Sequence, residues 1–250
     1  MQGAVDGQVG RIAMRIAADD PGELTGESKV YERLLPLAGA RVLELGCGKA
    51  EHTRGIARRH PETQIVALEV DEVQLAENLA GPQLPNLRFG RGGAQAIDHP
   101  DGSFDVVMMF KSLHHVPGAV LDQAMDEIAR VTKPGGLVYV SEPIFAGAYN
   151  EVIRVFHDEQ KVRQAAFDAV AGAVGRGRFE LVSQTFFRSP VVFEDFADFE
   201  RKMIGATHTI HRLTDAQYRE VRERFAAHVA KAGAPRFEAP MRVDLLRRPE

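Results

Sequence analysis

The sequence predicts an α/β fold: a doubly wound, mostly parallel sheet with helices on both faces and helical lid additions after strand 5. Short apolar runs alternate five times with segments of helical periodicity between residues 41 and 142, the pattern of an open parallel sheet. Several runs are apolar at consecutive positions, which indicates strands covered on both faces. After residue 142 this alternation stops, and the remaining pattern is mostly helical.

The regular part of the chain contains five predicted strands, at residues 41–46, 64–70, 86–89, 103–110 and 137–142. The helices predicted around and after them, most of which end near a proline or glycine, cover residues 9–18, 27–35, 52–60, 71–80, 119–132, 147–175, 193–205 and 215–233. Two further strands are expected at 179–187 and 237–248, and Pro240 favours an edge or a bulge for the last one.

The composition indicates a globular protein without a bulk basic surface. Its 250 residues include 31 basic and 35 acidic side chains, and the net charge of −4 argues against a nucleic-acid substrate. The single cysteine, Cys47, excludes an internal disulfide. No apolar stretch approaches the roughly 18 residues of a membrane span. The N-terminus lacks the apolar core of a secretory signal, so a cytoplasmic location is expected.

A glycine turn between the first strand of the sheet and the next helix is the most informative motif. Gly46 and Gly48 leave room for a ligand because neither has a Cβ, and the helix that follows offers free N–H groups. Dinucleotide-binding turns share such a glycine pair. Their Gly-x-Gly-x-x-Gly spacing, however, differs from the Gly46-x-Gly48-x-Ala50 found here.

Carboxylates flank this turn on both sides. Glu44 precedes the first glycine and suits a cationic ammonium group better than a polyphosphate. Glu69 ends the next strand, 21 residues after Gly48, where a carboxylate can accept both hydroxyls of a ribose. Together the two acids favour an adenosyl amino acid over NAD as the ligand.

Four segments that follow one another in order carry a family resemblance. They are VLELGCGKAEHT, IVALEVDEVQLAENL, SFDVVMMFKSLHHV and EIARVTKPGGLVYVSEP, within about residues 40–145. These segments resemble the motifs of class I S-adenosylmethionine-dependent methyltransferases, in the branch that acts on small molecules. The resemblance implies S-adenosyl-L-methionine as the cofactor and in-line transfer of its methyl group to a small-molecule acceptor, without a metal.

The resemblance also implies a set of cofactor-binding residues: Glu44, Gly46, Cys47, Gly48, Glu69, Val70, Gly93, Ala94, Gln95 and Lys111. Glu44 and the glycine turn are expected at the methionyl end, Glu69 at the ribose and Val70 on the adenine face. The family's third-strand loop often carries an aspartate that receives the adenine amino group. Gly93 stands at that position, and Gln95 is the candidate substitute.

His114 and His115 follow the fourth predicted strand and are the candidate catalytic residues. The carboxyl edge of such a sheet is where ligands bind, and a histidine there can act as a general base near neutral pH. A structural histidine is the alternative for each. The candidate acceptor-binding residues are Glu142, Tyr149, His157 and His208. His208 and His211 have a spacing that metals can use, but no third ligand accompanies them, so no metal site is expected.

We expect a single methyltransferase domain over residues 1–250. Residues 1–36 are its N-terminal helices, 37–145 the cofactor-binding core, 146–235 the helical cap with strand 6, and 236–250 the last strand. The expected partner is a small-molecule methyl acceptor, with a homodimer as a candidate assembly and neither nucleic acid nor membrane as a partner. The alternatives are a methyltransferase that acts on RNA or protein and a protein that binds S-adenosylmethionine without catalysis.

Overall fold

The computed structural model describes residues 13–205 and 212–250. The strands in this part of the chain are β1 (Glu23–Leu24), β2 (Arg41–Leu45), β3 (Gln64–Glu69), β4 (Leu87–Arg91), β5 (Phe104–Phe110), β6 (Thr132–Pro143), β7 (Glu180–Val192) and β8 (Arg236–Arg247). The α-helices are α1 (Glu27–Leu34), α2 (Glu51–Arg59), α3 (Glu72–Ala80), α4 (Leu121–Val131), α5 (Gly147–Ile153), α6 (Gln160–Gly175), α7 (Phe196–Phe199) and α8 (Asp215–Ala232). Short 3₁₀ turns cover Leu113–His115 and Gly118–Val120, and a π-helical turn covers Glu200–Ile204.

All of these strands belong to one sheet, in the order β1-β7-β8-β6-β5-β2-β3-β4. Strands β2 to β6 pair in parallel, whereas β8 lies antiparallel between β6 and β7. The strand order reverses between β2 and β5, and ligands of doubly wound sheets bind at such a switch point. The predicted fold class, a mostly parallel doubly wound sheet, is therefore confirmed.

Helices cover both faces of the sheet because the strands carry apolar side chains at consecutive positions. On one face, Ile56 of α2 joins Val42 and Met108 in an apolar cluster that also includes α1. On the other, Ile128 of α4 and Val170 of α6 join a second cluster with β5, β6 and β8. Because the members of both clusters are buried, the sheet faces offer a ligand little access within the described part of the chain, whereas the strand ends remain open.

The prediction of a helix over residues 9–18 is wrong for residues 13–18, which form no helix. Arg15 donates its backbone N–H to the side chain of Gln184 on β7, and the carbonyl of Ile16 accepts from Arg242 on β8. Bonds to the sheet therefore replace bonds within a helix in this segment. Residues 9–12 lie outside the described part.

The helix predicted over 147–175 is two helices, α5 and α6, and only the first lies in the cap. Ala166, Ala169 and Ala173 bring α6 close against the sheet face beside α4, so most of this helix covers the core, and its N-terminal end reaches the turn after β5. The last strand, for which Pro240 favoured an edge or a bulge, lies inside the sheet. Pro240 falls one residue beyond the stretch of β8 that pairs with β6, where no bond from its nitrogen is needed.

A third apolar cluster lies at the carboxyl edge of the sheet, where β7 ends and β8 begins. It is built from α5, α7 and α8 around Phe193, Phe199, Phe225 and Phe237. We call the segments 147–153, 193–204 and 213–235 the cap. The cap has its own aromatic core, formed by these phenylalanines. None of the helices described is long and apolar enough to cross a membrane.

Candidate active site

The glycine turn lies where β2 ends and is fixed by the neighbouring strands. The backbone N–H groups of Gly46 and Cys47 both donate to the carbonyl of Leu68 on β3. Gly46 has a φ of +69°, and a Cβ placed there would come within 2.8 Å of the Cβ of Ser112. Gly46 is therefore required both by its backbone conformation and by the close approach of the loop after β5.

Gly48 has the same left-handed backbone with a φ of +50°, but a Cβ built on it would meet no atom within 4 Å. Its missing side chain therefore leaves an open cradle. The side-chain amide of Asn78 on α3 fixes the turn from behind by donating to the carbonyl of Gly48, with an N···O distance of 2.7 Å. The turn is thus rigid on its protein side and open on its other side, as a ligand-binding loop requires.

Glu69 presents its carboxylate beside this cradle. Oε2 accepts from the N–H of Gly48 at 2.7 Å, and Oε1 accepts from those of Val70 and Asp71 at 2.8 and 3.0 Å. A carboxylate has about four lone-pair positions, so three backbone donors orient it and leave about one; a second ligand hydroxyl would share an oxygen with one of these donors. Glu69 can accept hydroxyl groups from a ligand that lies along the turn.

Glu44 lies beneath the turn, only 2% exposed, and accepts a hydrogen bond from the hydroxyl of Thr53 on α2. Burial and the nearby negative charge of Glu69 raise the pKa of Glu44 to about 8. A buried acid with one hydroxyl donor gains stability from a cation brought close to it. This environment is compatible with the predicted role at a ligand's ammonium group.

Cys47 points away from the cradle into the apolar cluster beneath α2. Burial and the negative charges of Glu44 and Glu69 raise the pKa of the Cys47 thiol above its usual range. Only the backbone of Cys47 lies along the turn, so the residue fits a binding loop and not a nucleophile.

The adenine side of the predicted site lies between the ends of β3 and β4. Val70 is 58% exposed there, an apolar side chain available for a flat ring to pack on. The side chain of Gln95 lies against Gly93, since a Cβ on Gly93 would be 2.5 Å from its Oε1. Gln95 thus fills the space that a residue-93 side chain would take, while Ala94 is buried in the core below.

Lys111 ends β5 in a left-handed conformation with a φ of +54°. Its backbone N–H donates to the carbonyl of Ser141 on β6 at 2.7 Å, and its side chain is exposed. The bond turns the chain toward Ser112, whose hydroxyl donates to the carbonyl of Leu45 at 2.8 Å. This joins the loop after β5 to the glycine turn.

His114 does not fit the expected role of general base. Its Nδ1 bonds to a carboxylate oxygen of Glu142, and its Nε2 lies 3.5 Å from Oε1 of Glu159. Burial alone lowers the pKa of His114, but the bonds to Glu142 and Glu159 outweigh it and raise that pKa to about 9. At neutral pH the ring is an imidazolium held between two carboxylates, and it has no free nitrogen to accept a proton.

Glu142 is likewise engaged within the protein and not exposed to an acceptor. It is 2% exposed, and its second oxygen accepts from the N–H of Leu113 at 2.9 Å. Its carboxylate therefore orders the 3₁₀ turn 113–115. The predicted direct contact with an acceptor is wrong for Glu142, which positions His114 instead.

His115 is the more accessible histidine of the pair. Its ring centroid lies 4.1 Å from that of His114, and the residue is exposed. Partial enclosure of its ring and the charge of His114 lower the pKa of His115. The imidazole is therefore neutral near pH 7, the form in which a histidine accepts a proton or binds a metal.

Of the acceptor-binding candidates, His157 lies next to this pair and Tyr149 does not. The Nε2 of His157 is 2.7 Å from Oε1 of Glu159, at the start of α6. Tyr149 packs against Phe193 and Phe237 in the cap core, and its hydroxyl contacts the sulfur of Met203 at 3.3 Å. Tyr149 therefore supports the cap, contrary to the expected acceptor contact. His208 lies outside the described residues.

Sequence reasoning missed several residues of the site: Thr53, Asn78, Ser112, Glu159 and Arg163. The first three are polar residues on otherwise apolar positions near a predicted ligand loop, a signal available in the sequence. Glu159 reaches the site only because the turn between α5 and α6 brings it back over residues 113–115.

Comparison with known proteins relates this chain to a protein family. Residues 42–136 match the model of the methyltransferase domain family. The methyltransferase GfsG of Streptomyces halstedii is 31% identical over 140 residues, which cover 53% of this chain and 49% of the relative. Residues 42–136 are therefore a segment of the methyltransferase domain family. This match confirms the predicted resemblance to S-adenosylmethionine-dependent methyltransferases and the cofactor that it implies.

Two further relatives extend this comparison. Trans-aconitate 2-methyltransferase of Deinococcus radiodurans is 33% identical over 104 residues, 42% of this chain and 38% of that one. A solved structure of a candidate methyltransferase from Bacillus halodurans has a TM-score of 0.61 at 19% identity, and the match covers 90% of this chain and 99% of that one. The structural likeness shows the fold alone. The chain spans about half or less of the length of the named relatives that it matches in sequence.

Proposed function

We propose that this chain transfers a methyl group from S-adenosylmethionine to a small-molecule acceptor. The observation that carries the proposal is the carboxylate of Glu69, oriented by three backbone N–H groups beside the open cradle at Gly48. That arrangement fits a ribose whose two hydroxyls donate to one carboxylate. The trans-aconitate 2-methyltransferase of Deinococcus radiodurans, named for a small acceptor, supports this class of acceptor.

The residues present fit the rest of this cofactor. Glu44 suits the ammonium group at the methionyl end, Val70 offers an apolar surface to adenine, and Gln95 an amide oxygen to its amino group. When bound, S-adenosylmethionine supplies an electrophilic methyl carbon on a cationic sulfur, and its displacement product is S-adenosylhomocysteine. The protein's part is to hold that carbon and the acceptor atom in line, roughly 3–3.5 Å apart, and to exclude water.

The acceptor side of the proposed site is the 3₁₀ turn 113–115. Ser112 contacts the glycine turn, so the residues that follow it lie next to the cofactor's proposed position. His115 is the exposed basic side chain there and is in place to accept a proton from an acceptor hydroxyl or amine. The cap adjoins the same edge and is proposed to enclose the acceptor.

An isotope-labelled methyl group should identify the class of acceptor. We expect label from S-adenosylmethionine to enter the low-molecular-mass fraction of a metabolite extract and to be absent from RNA and protein fractions. Label in RNA or protein would contradict the proposed class and favour the macromolecular alternative. Cofactor binding without label in any fraction would instead indicate a non-catalytic binding protein. Mass detection of the labelled product would then identify the acceptor.

Gln95→Ala should weaken binding of S-adenosylmethionine by about 5–10-fold, since one hydrogen bond contributes about 1 kcal/mol. The alanine also vacates the space beside Gly93, whose backbone needs no positive φ. An aspartate at position 93 can occupy that space and accept from the adenine amino group. The double variant Gly93→Asp/Gln95→Ala should therefore regain most of the affinity. Calorimetric titration measures all three, with Gln164→Ala, an exposed glutamine of α6, as the matched control. Unchanged binding by the single variant would exclude Gln95 from the site.

A further inference from the structure

A compact group of potential metal ligands lies beside the proposed acceptor position. His114, His115 and Glu159 each offer one ligand atom, and these three atoms lie within 4.8 Å of one another. Two of the residues come from the 3₁₀ turn after β5, and Glu159 immediately precedes α6. The group is thus assembled by the tertiary fold from two distant parts of the chain.

One pair of atoms in this group already has the separation of two ligands on one ion. Nitrogen and oxygen ligands about 2.1 Å from a tetrahedral ion are about 3.4 Å apart. The Nε2 of His114 lies 3.5 Å from Oε1 of Glu159, and the Nε2 of His157 lies 2.7 Å from the same oxygen. Small shifts would bring the nitrogen of His114 and the oxygen of Glu159 onto one ion, with His157 adjacent, and the ion would displace the proton that Nε2 of the His114 imidazolium carries.

The surroundings hold these ligands as they are held in established metal sites. Nδ1 of His114 is bonded to Glu142, and a ligating histidine usually places its second ring nitrogen on a carboxylate in this way. The other oxygen of Glu142 is fixed by the N–H of Leu113 at 2.9 Å. Arg163 donates to Oε2 of Glu159 at 2.6 Å, which leaves Oε1 directed at the histidines. His114 and Glu159 therefore each have a neighbouring side chain that orients them as a metal ligand is usually oriented.

We propose that His114, His115 and Glu159 bind one divalent transition-metal ion of the zinc or manganese kind. Two imidazole nitrogens and one carboxylate favour such ions over Mg²⁺ and Ca²⁺, which prefer oxygen ligands. This proposal departs from the expectation that the chain has no metal site. Three protein ligands leave at least one position open, and an oxygen atom of a small molecule can occupy it.

The use of this ion rests on the proposed function. Next to the cofactor's proposed position, the ion would bind an acceptor that carries a hydroxyl or carboxylate oxygen and would lower the pKa of a bound hydroxyl. A nitrogen of His115 that binds the ion cannot also accept a proton. The ion would then replace His115 as the reason that a bound hydroxyl of the acceptor loses its proton, and that proton would pass to water.

Calorimetric titration of the untagged, chelator-treated full chain with ZnCl₂, MnCl₂ or MgCl₂ tests the site without cofactor or acceptor. We expect one Zn²⁺ per chain with a Kd at or below about 1 μM, weaker Mn²⁺ binding and no Mg²⁺ binding below millimolar concentration. His115→Ala and Glu159→Gln should each weaken Zn²⁺ binding at least tenfold, and Glu142→Gln by about 10–100-fold.

His60→Ala is the matched control, because His60 also lies beside a carboxylate, Glu32 at 2.8 Å, but far along the chain from this group. It should bind Zn²⁺ like the parent. Thermal unfolding of each variant verifies that it is folded. Parent-like Zn²⁺ binding by folded His115→Ala and Glu159→Gln, or no stoichiometric binding by the parent, would overturn the proposal. Because no S-adenosylmethionine is present, failure of the proposed methyl transfer would leave this result unaffected.

Discussion

Glu69→Ala should reduce the affinity for S-adenosylmethionine more than 100-fold. The variant removes the acceptor of two ribose hydroxyls, and hydrogen bonds to a charged group contribute about 1.5–3 kcal/mol each. It also leaves the N–H groups of Gly48, Val70 and Asp71 without their carboxylate. Calorimetry is the suitable measurement, because the chain has no tryptophan to report binding by fluorescence.

The matched control for this prediction is Glu72→Ala. Glu72 is an exposed acid three residues away, at the start of α3, and its carboxylate pairs with Arg91 at 2.6 Å. We expect its affinity to equal that of the parent. Circular dichroism should show that both variants keep the fold. If Glu69→Ala bound the cofactor as tightly as Glu72→Ala, the carboxylate would have no part in ribose binding and the proposed cofactor position would be wrong.

Glu44→Gln should change stability and cofactor binding in opposite directions. The folded protein holds the pKa of Glu44 near 8, above its usual value of 4.5. Between these pH values the unfolded chain has released a proton that the folded chain keeps, so Glu44 lowers the free energy of unfolding as pH rises from 4.5 to 8. Glutamine keeps an oxygen that can accept from the Thr53 hydroxyl. Because it has no charge, it does not lower the free energy of unfolding as pH rises.

We therefore expect the Tm of Glu44→Gln to exceed that of the parent by about 5 °C at pH 8. For a chain of this size, that shift corresponds to a few kcal/mol in the free energy of unfolding. The difference should shrink toward zero near pH 4.5. Affinity for S-adenosylmethionine at pH 8 should fall about tenfold, because the ammonium group loses a charged partner. Melting curves at both pH values and one titration measure these effects.

Glu51→Gln, at an exposed acid in the first turn of α2, is the control and should show neither change. A parent-like Tm of Glu44→Gln at pH 8 would contradict the raised pKa of Glu44. Parent-like cofactor affinity with a raised Tm would instead leave the buried acid without a role at the ammonium group. The two readouts therefore separate the electrostatic cost of Glu44 from its proposed use.

The sequence alone predicted the parts of the site that lie within single strand–turn–helix units. The glycines at 46 and 48 and the acid at 69 follow buried strands directly, so the local pattern of apolar runs and breaks places them at one sheet edge. Helices that pack on that sheet, such as α2 and α4, were predicted to within a few residues for the same reason. Short-range periodicity carries this information because both faces of the sheet are buried.

The tertiary structure alone decided which side chains meet across the carboxyl edge. His114 looked like a free base in the sequence, but Glu142 from the next strand and Glu159 from the turn before α6 enclose it. Likewise, α6 lies on the sheet face, whereas its sequence is equally compatible with a lid. A residue's protonation depends on charges within a few ångströms, and long loops bring such charges together without leaving any periodic signal in the chain.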